Sequence, residues 1–138
     1  MLNKITQGIA VKLASVFGEN CKIYQNDVAQ GLSPPCFMIG VLKASVKPAV
    51  NGMIQGEYPF IVRYYPQNNG HNDELIDVAA ELSDALEIIT APALGTIRGT
   101  GMHGEIVDGI LHYNVTYTLR MRKTEAERPT METLARNP

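Results

Sequence analysis

The chain has 138 residues, of which 45% are hydrophobic and 19% charged, and its formal net charge is −2. This length favours a single domain with a sizeable core, and the charge balance argues against a strongly basic nucleic-acid surface. No apolar run reaches the roughly 18 residues that a membrane span needs, and the N-terminus lacks a signal-peptide core, so we expect an intracellular product. The two cysteines, Cys21 and Cys36, are then expected to be reduced, partly buried thiols.

The N-terminal residues predict an amphipathic helix that ends at Gly18. Its apolar stripe recurs at steps of three and four and consists of Leu2, Ile5, Ile9, Leu13, Val16 and Phe17. Residues 22–24 predict a short strand. A connecting loop follows from Gln25 to Pro35, because its closing Ser33-Pro34-Pro35 cannot continue a helix.

Residues 36–65 predict a long hairpin with strands over 36–46 and 53–65. The strands are joined by Asn51-Gly52, which is typical of a two-residue type I′ turn. On the return strand one face is apolar and aromatic, with Tyr58, Phe60, Val62 and Tyr64. Pro59 lies inside this strand and has no N–H to donate, which leaves open either an edge position or a bulge.

Residues 66–70 predict a loop, and a second amphipathic helix follows. Asn72 is a plausible N-cap, and Asp73 and Glu74 suit the positive end of the helix. Its buried stripe is predicted to be Leu75, Val78, Ala79, Leu82, Leu86 and Ile89. Its outer face is acidic, with Asp77, Glu81, Asp84 and Glu87. Pro92 bounds this helix.

A second hairpin follows the second helix. Residues 94–107 predict a strand loosened by glycines, and Asp108-Gly109 is a second turn signal of the primed type. Residues 111–122 then alternate strictly, which predicts a strand with one buried and one wet face. The predicted buried set is Leu111, Tyr113, Val115, Tyr117, Leu119 and Met121. The other set is His112, Asn114, Thr116, Thr118, Arg120 and Arg122.

The order helix, hairpin, helix, hairpin predicts an α+β fold: a two-layer sandwich of two amphipathic helices on a mainly antiparallel sheet made of two long hairpins. We expect residues 1–123 to form its single domain and Tyr113, Val115, Tyr117 and Leu119 to lie against the helices. Residues 124–138 are polar and predict either a free tail or an arm that contacts a neighbouring subunit.

No stretch carries a convincing catalytic, cofactor or metal motif. Residues 99–104 match G-x-G-x-x-G, but a strand and a turn follow where a dinucleotide site needs a helix, so the glycines more simply mark bulges. The second hairpin also concentrates polar residues without any established ligand spacing; these are His103, Glu105, Asp108 and His112. We therefore expect no cofactor and no metal, and contacts with other proteins instead.

The order of these elements resembles the tail terminator (tail completion) proteins of tailed phages and phage-tail-like particles. The likeness covers roughly residues 1–123. It is carried by the N-terminal helix, residues 33–39, the strand end at 60–66, the helix over 75–89 and residues 107–113. The resemblance implies a non-enzymatic subunit, made in the bacterial host cytoplasm, that becomes part of the virion or particle. It would form a ring, usually hexameric, at the head-proximal end of the tail tube.

In such a ring the partners are further copies of the chain, the tail tube protein, and sheath and neck or connector proteins. The resemblance implies no membrane and no sequence-specific nucleic acid, although DNA can pass through the lumen of a ring. The predicted subunit or tube contacts are Lys47, Asn51, Gly52, Pro59, Arg63, Arg120 and Arg122. Two alternatives remain: another neck, tube or head–tail joining protein, and a small ligand-binding or enzymatic α+β domain.

Overall fold

In the computed structural model, two helices lie on one side of a mainly antiparallel, curled sheet. The structure describes residues 2–18, 21–25, 32–67 and 72–122, and within them the sheet has seven strands. The elements are α1 (Leu2–Phe17), β1 (Lys22–Gln25), β2 (Cys36–Val41), β3 (Ser45–Pro48), β4 (Met53–Tyr65), α2 (Asn72–Ala85), β5 (Ile88–Ala91), β6 (Gly95–Val107) and β7 (Ile110–Arg122). The α+β prediction is confirmed. The predicted tail at 124–138 lies outside the described residues, as does much of the loop before Pro35.

Strands β4 and β7 form the centre of the sheet. They pair antiparallel along almost their whole length, from Met53 opposite Arg122 to Tyr64 opposite Leu111. Strands β2 and β3 pair with the other side of β4, and β6 pairs with the other side of β7. The sheet order is therefore β1-β2-β4-β7-β6-β5, with β3 beside β4 and β1 parallel to β2.

The strict alternation of β7 is confirmed. Its residues Leu111, Tyr113, Val115 and Tyr117 are buried in the core, and Leu119 is half-buried and packs against the same cluster. The helices supply the opposite wall of this core with Ile5, Ile9, Leu13, Leu75, Val78 and Leu82. Within the predicted α1 stripe, Val16 is the exception, because 43% of it is exposed.

Tyrosine hydroxyls of the sheet hold α2 in place. The Tyr64 hydroxyl donates to the Glu74 carboxylate over 2.7 Å, the Tyr113 hydroxyl and Ser83 Oγ are 2.6 Å apart, and the Tyr117 hydroxyl donates to the backbone oxygen of Leu86 over 2.7 Å. Burial raises the pKa of both Tyr64 and Tyr117, so these hydroxyls stay protonated and remain donors. In chain order these contacts also show that α2 runs alongside β7 in the same direction and ends beside Tyr117.

The predicted second helix is too long. It ends at Ala85, and residues 88–91 form strand β5 instead, so the placement of Glu87 and Ile89 on the helix is wrong. Leu86 and Ile89 are both buried, and their spacing of three fits a helix as well as a turn followed by a strand. Residues 88–91 are a strand because they pair with β6, where Ile89 lies opposite Ile97.

Pro59 lies in a central strand, so the edge alternative is wrong and the bulge alternative is right. The partner strand is interrupted: β2 ends at Val41 and β3 begins at Ser45, so residues 42–44 lie opposite Tyr58 and Pro59. The Leu42 N–H donates to the Pro59 oxygen over 2.9 Å. Since N and C=O of one strand residue point to the same side, the missing N–H of Pro59 also faces this interruption.

Both predicted tight turns are confirmed. Asn51 and Gly52 have φ of 60° and 73°, and the Met53 N–H donates to the Val50 oxygen. Asp108 and Gly109 have φ of 53° and 74°. Positive φ at both central residues is what a type I′ turn requires.

The glycines of residues 99–104 serve the shape of β6, as predicted. The register of β6 against β7 shifts between Thr100 and His103, which marks a bulge. At Gly99 the strand passes close to the end of α2, and a Cβ there would lie 2.8 Å from the Leu86 oxygen. Close packing and a bulge therefore account for the motif.

Candidate functional site

Three strand segments extend past the end of α2, and we call them the ribbon: β3, residues 53–57 of β4 and residues 118–122 of β7. The register places them side by side, with Lys47 opposite Gln55 and Gln55 opposite Arg120. Because α2 ends beside Tyr117, the later residues of β7 lie beyond it. Every residue of β3 is exposed. The ribbon is thus a projecting, accessible part of the sheet.

One face of the ribbon is polar and lies on the side of the sheet away from the helices. Arg120 Nε donates to Gln55 Oε1 over 3.0 Å, and Gln55 Nε2 donates to Glu57 Oε2 over 3.4 Å. The Lys47 ammonium lies 4.0 Å from the same Glu57 oxygen. These groups are largely in solvent, where such pairs contribute at most about 1 kcal/mol each, so they order the face more than they stabilise the fold.

The other face of the ribbon is apolar. Val46, Ile54, Leu119 and Met121 share it, since their register partners and alternation place them on the helix side of the sheet. Val46 is 59% exposed, and Ile54 and Met121 are partly exposed. The ring of Tyr58 folds back over Gly56, where a Cβ would come within 2.6 Å of its carbons. An accessible apolar face of this kind is typical of a protein-contact surface.

The structure gathers the predicted contact residues onto one surface. Lys47, Arg120 and Arg122 lie on the polar face of the ribbon, and Asn51 and Gly52 form its tip. Pro59 and Arg63 continue the same face toward the middle of β4. Their contacts with a partner stay a prediction. Arg120 and Arg122 lie on the opposite side of the sheet from α2.

The open face of the sheet carries a second polar group near the middle of β7. Asn114 Nδ2 lies 2.9 Å from His103 Nε2, and His103 Nδ1 lies 3.0 Å from the Gly101 oxygen. His112 is opposite Arg63 on one side and Glu105 on the other. Desolvation lowers the pKa of His112, the nearby Arg63 lowers it further, and Glu105 and Asp108 act in the opposite direction.

The candidates for metal or thiol chemistry are the polar side chains of the second hairpin and the two cysteines. Over the described ranges, no group of three or more His, Cys, Asp or Glu side chains is arranged to hold a metal ion. Cys36 is buried, Cys21 is partly buried, and both are free thiols. Burial raises the pKa of each thiol, which disfavours the reactive thiolate.

A groove between α2 and β6 was not predicted from the sequence. It has a volume of about 270 Å³ and is lined mainly by small and apolar residues: Leu75, Ile76, Ala79, Ala80, Ser83, Met102, His103, Gly104, Ile106, Leu111 and Tyr113. Its one sequence signal is Ile76, an apolar residue outside the predicted stripe of α2. Ile76 is 57% exposed.

The fold and its surfaces define a class: a small α+β subunit with accessible polar and apolar faces. A family model described as phage tail terminator protein matches residues 4–129, which is nearly the whole chain. The chain therefore belongs to the phage tail terminator family and is a phage tail assembly protein. No curated protein matches it. The resemblance in the order of elements is confirmed, and the family places the chain among proteins that interact with other tail proteins. No described helix is long and apolar enough to cross a membrane.

Proposed function

We propose that this protein forms a closed ring of six identical subunits on the head-proximal end of a phage tail tube. The ring ends polymerisation of the tube and offers the surface on which the neck or head docks. Its role is structural and not catalytic, and it is made in the bacterial cytoplasm before it joins the particle. The observation that carries this proposal is the family match over residues 4–129.

The accessible surfaces support the same role. The ribbon projects beyond the helices with one polar and one apolar face, which suits a subunit that contacts two different neighbours. A ring of identical subunits needs unlike surfaces on each copy, because a head-to-tail contact closes by rotation. The groove beside α2 is a second accessible surface that differs from the ribbon.

Deletion of the gene tests the proposal. We expect particles without the protein to carry tails of irregular or excessive length that lack heads when they are examined by electron microscopy. Complementation with the wild-type gene should restore normal tails. The matched control is Val11→Asp, a change at an α1 residue that is 67% exposed and lies outside the ribbon and the groove; it should also restore them.

Other outcomes of the deletion contradict the proposal in different ways. Normal, capped tails joined to heads in the absence of the protein would rule it out. Tails of normal length that fail to join heads would assign the protein to the neck or head–tail joint instead. Tail length therefore separates a terminator from a joining protein.

A further inference from the structure

We propose that the ribbon of one subunit docks into the groove beside α2 of a second copy of this chain. The inference rests on the ring proposed above and identifies the two surfaces that build it. Four observations lead to it: an open apolar groove, an incompletely paired strand beside that groove, an apolar ribbon face of matching character, and opposite charge along the two surfaces.

The groove has an apolar floor that is open to solvent. Ile76, Ala79 and Ala80 line it from α2, and Met102 and Ile106 line it from β6. Ile76 is the most exposed large apolar residue of α2, at 57%. Burial of these side chains by a partner is favourable because it removes apolar surface from water.

A strand edge runs along the same groove. Strand β5 pairs with β6 only at residues 95–98, opposite Ile88–Ala91. Along residues 101–107, β7 lies on one side of β6, and no strand of the described residues lies on the other. Unpaired N–H and C=O groups of this kind accept a further strand by β-augmentation.

The ribbon offers the complementary features. Val46, Ile54 and Met121 lie on its apolar face, and Val46 is 59% exposed. The pairing of β6 with β7 begins only at Tyr117, so within the described part of the chain residues 118–122 are paired on one side alone. Ribbon and groove therefore each bring apolar side chains and an available strand edge.

The charges on the two surfaces are opposite. The exposed face of α2 carries Asp73 and Asp77 next to the groove residues Ile76 and Ala80, and the helix contains no lysine or arginine. The edge strands of the ribbon carry Lys47, Arg120 and Arg122 on the face away from its apolar side chains, so these cations lie at the rim of the proposed contact. Opposite charge at the rim fixes the register of an interface and speeds its formation.

The two surfaces belong to opposite ends of β7, so they meet only between copies. Gly104 of the groove lies opposite Tyr113, and Met121 of the ribbon lies farther along the same strand. At about 3.3 Å per residue, roughly 25 Å separates them. The contact is therefore heterologous, and repeated by rotation it closes a ring.

A mixing experiment tests this contact. Val46→Asp disables the ribbon and Ile76→Asp disables the groove, and both residues are exposed, so the fold should survive. The state of association is measured by sedimentation velocity, with far-UV circular dichroism and thermal melts to check the fold. Val11→Asp, at a residue that is 67% exposed on α1, is the control and should assemble like the wild type.

Each variant alone should be monomeric at a concentration at which the wild type is multimeric. Mixed together they should form a one-to-one pair and nothing larger. In this pair the intact ribbon of the Ile76→Asp variant occupies the intact groove of the Val46→Asp variant, and no intact surface is left to bind a third subunit. A second ribbon variant reverses the charge of two arginines, Arg120→Glu and Arg122→Glu. Mixed with Ile76→Asp in place of Val46→Asp, it should also form the one-to-one pair.

Other results overturn the proposed contact. These are wild-type assembly by either variant alone, no pair on mixing, or a wild-type protein that stays monomeric with and without tail tubes. If the variants assemble normally while deletion of the gene still gives over-long tails, the terminator role stands and this contact falls. If mixing gives the pair but deletion leaves tails normal, the contact stands and the terminator role falls.

Discussion

At the scale of single residues, Tyr117 joins the two layers of the fold. It is fully buried, its ring packs edge-on against Phe60 with centroids 6.2 Å apart, and its hydroxyl donates to the Leu86 oxygen over 2.7 Å. Tyr117→Ala should therefore lower the free energy of unfolding by about 3–5 kcal/mol, as aromatic truncations in cores do. Urea unfolding of the purified subunit measures this loss.

The adjacent residue provides the control for this prediction. Thr116 lies on the open face, and its interaction with Thr100 uses its backbone oxygen, which a change of side chain leaves in place. Thr116→Ala should cost about 1 kcal/mol or less. If the two variants rank the other way, the facing of β7 is wrong.

His112 predicts a dependence of stability on pH. Desolvation and Arg63 lower its pKa in the folded chain, while the unfolded chain keeps the ordinary value of about 6.5. The unfolded state therefore binds the proton more readily, and stability should fall as the pH falls through about 6.5 toward the lowered folded pKa. Above about 6.5 both states are neutral at this residue, so it contributes no slope there.

The substitution His112→Gln isolates this effect. It removes the titrating group and keeps a polar side chain between Arg63 and Glu105. Urea unfolding at pH 7.5 and pH 5.5 should show a smaller loss of stability on acidification for His112→Gln than for the wild type. An equal loss in both proteins would show that other groups cause the pH dependence.

At the scale of elements, the hairpin tip is governed by backbone conformation. Gly52 has φ of 73°, and no atom lies within 4 Å of where its Cβ would be. A side chain at this position would therefore cause backbone strain but no steric clash. A β-branched residue at positive φ is unfavourable, and Gly52→Val should destabilise the subunit by about 1–3 kcal/mol. Gly52→Asn should cost less, because asparagine tolerates this conformation.

Thermal melts and sedimentation of the same variants separate strain from contact at the tip. If the tip also touches a neighbour in the ring, Gly52→Val should lose multimers under conditions where the subunit is still folded. Parallel loss of fold and assembly would make the tip a purely local structural element. Equal stability of Gly52→Val and Gly52→Asn would contradict the strain argument itself.

Pro59 shows how an element accommodates a residue that breaks its hydrogen bonding. The proline lies in the most extensively paired strand of the sheet, yet its missing donor faces the interruption between β2 and β3. The missing N–H of Pro59 therefore leaves no strand partner unpaired, because residues 42–44 bulge at that point. The pairing of β4 with β7 is continuous. A central strand can keep a proline when the neighbouring strand is bulged at that point.

At the scale of the whole molecule, the sheet extends beyond the helices that cover it. The helices bury one side of its centre, and tyrosine hydroxyls anchor α2 up to Tyr117. Past that point the ribbon continues with no helix of the described residues above it, and β6 has an open edge at the other end of the described sheet. A subunit with unlike accessible surfaces at its two ends is suited to repeated head-to-tail assembly.

The sequence by itself determined the types of the long elements, the two turns, the facing of β7 and the family resemblance. Each of these depends on residues close together in the chain: the period of two in β7, the positive φ favoured by Asn-Gly and Asp-Gly, and the stripe of α1. Local sequence also indicated that the glycines of 99–104 serve a bulge, because a strand follows them where a nucleotide site needs a helix.

Only the tertiary structure decided how the two hairpins join, through β4 and β7, and which further strands flank them. Residues 88–91 form strand β5 because they pair with β6, with Ile89 opposite Ile97. Pro59 lies in a central strand because β7 pairs with the other side of β4. The groove beside α2 depends on how far β5 reaches along β6. These features arise from contacts between residues distant in sequence, and periodicity within one segment carries no information about its partners.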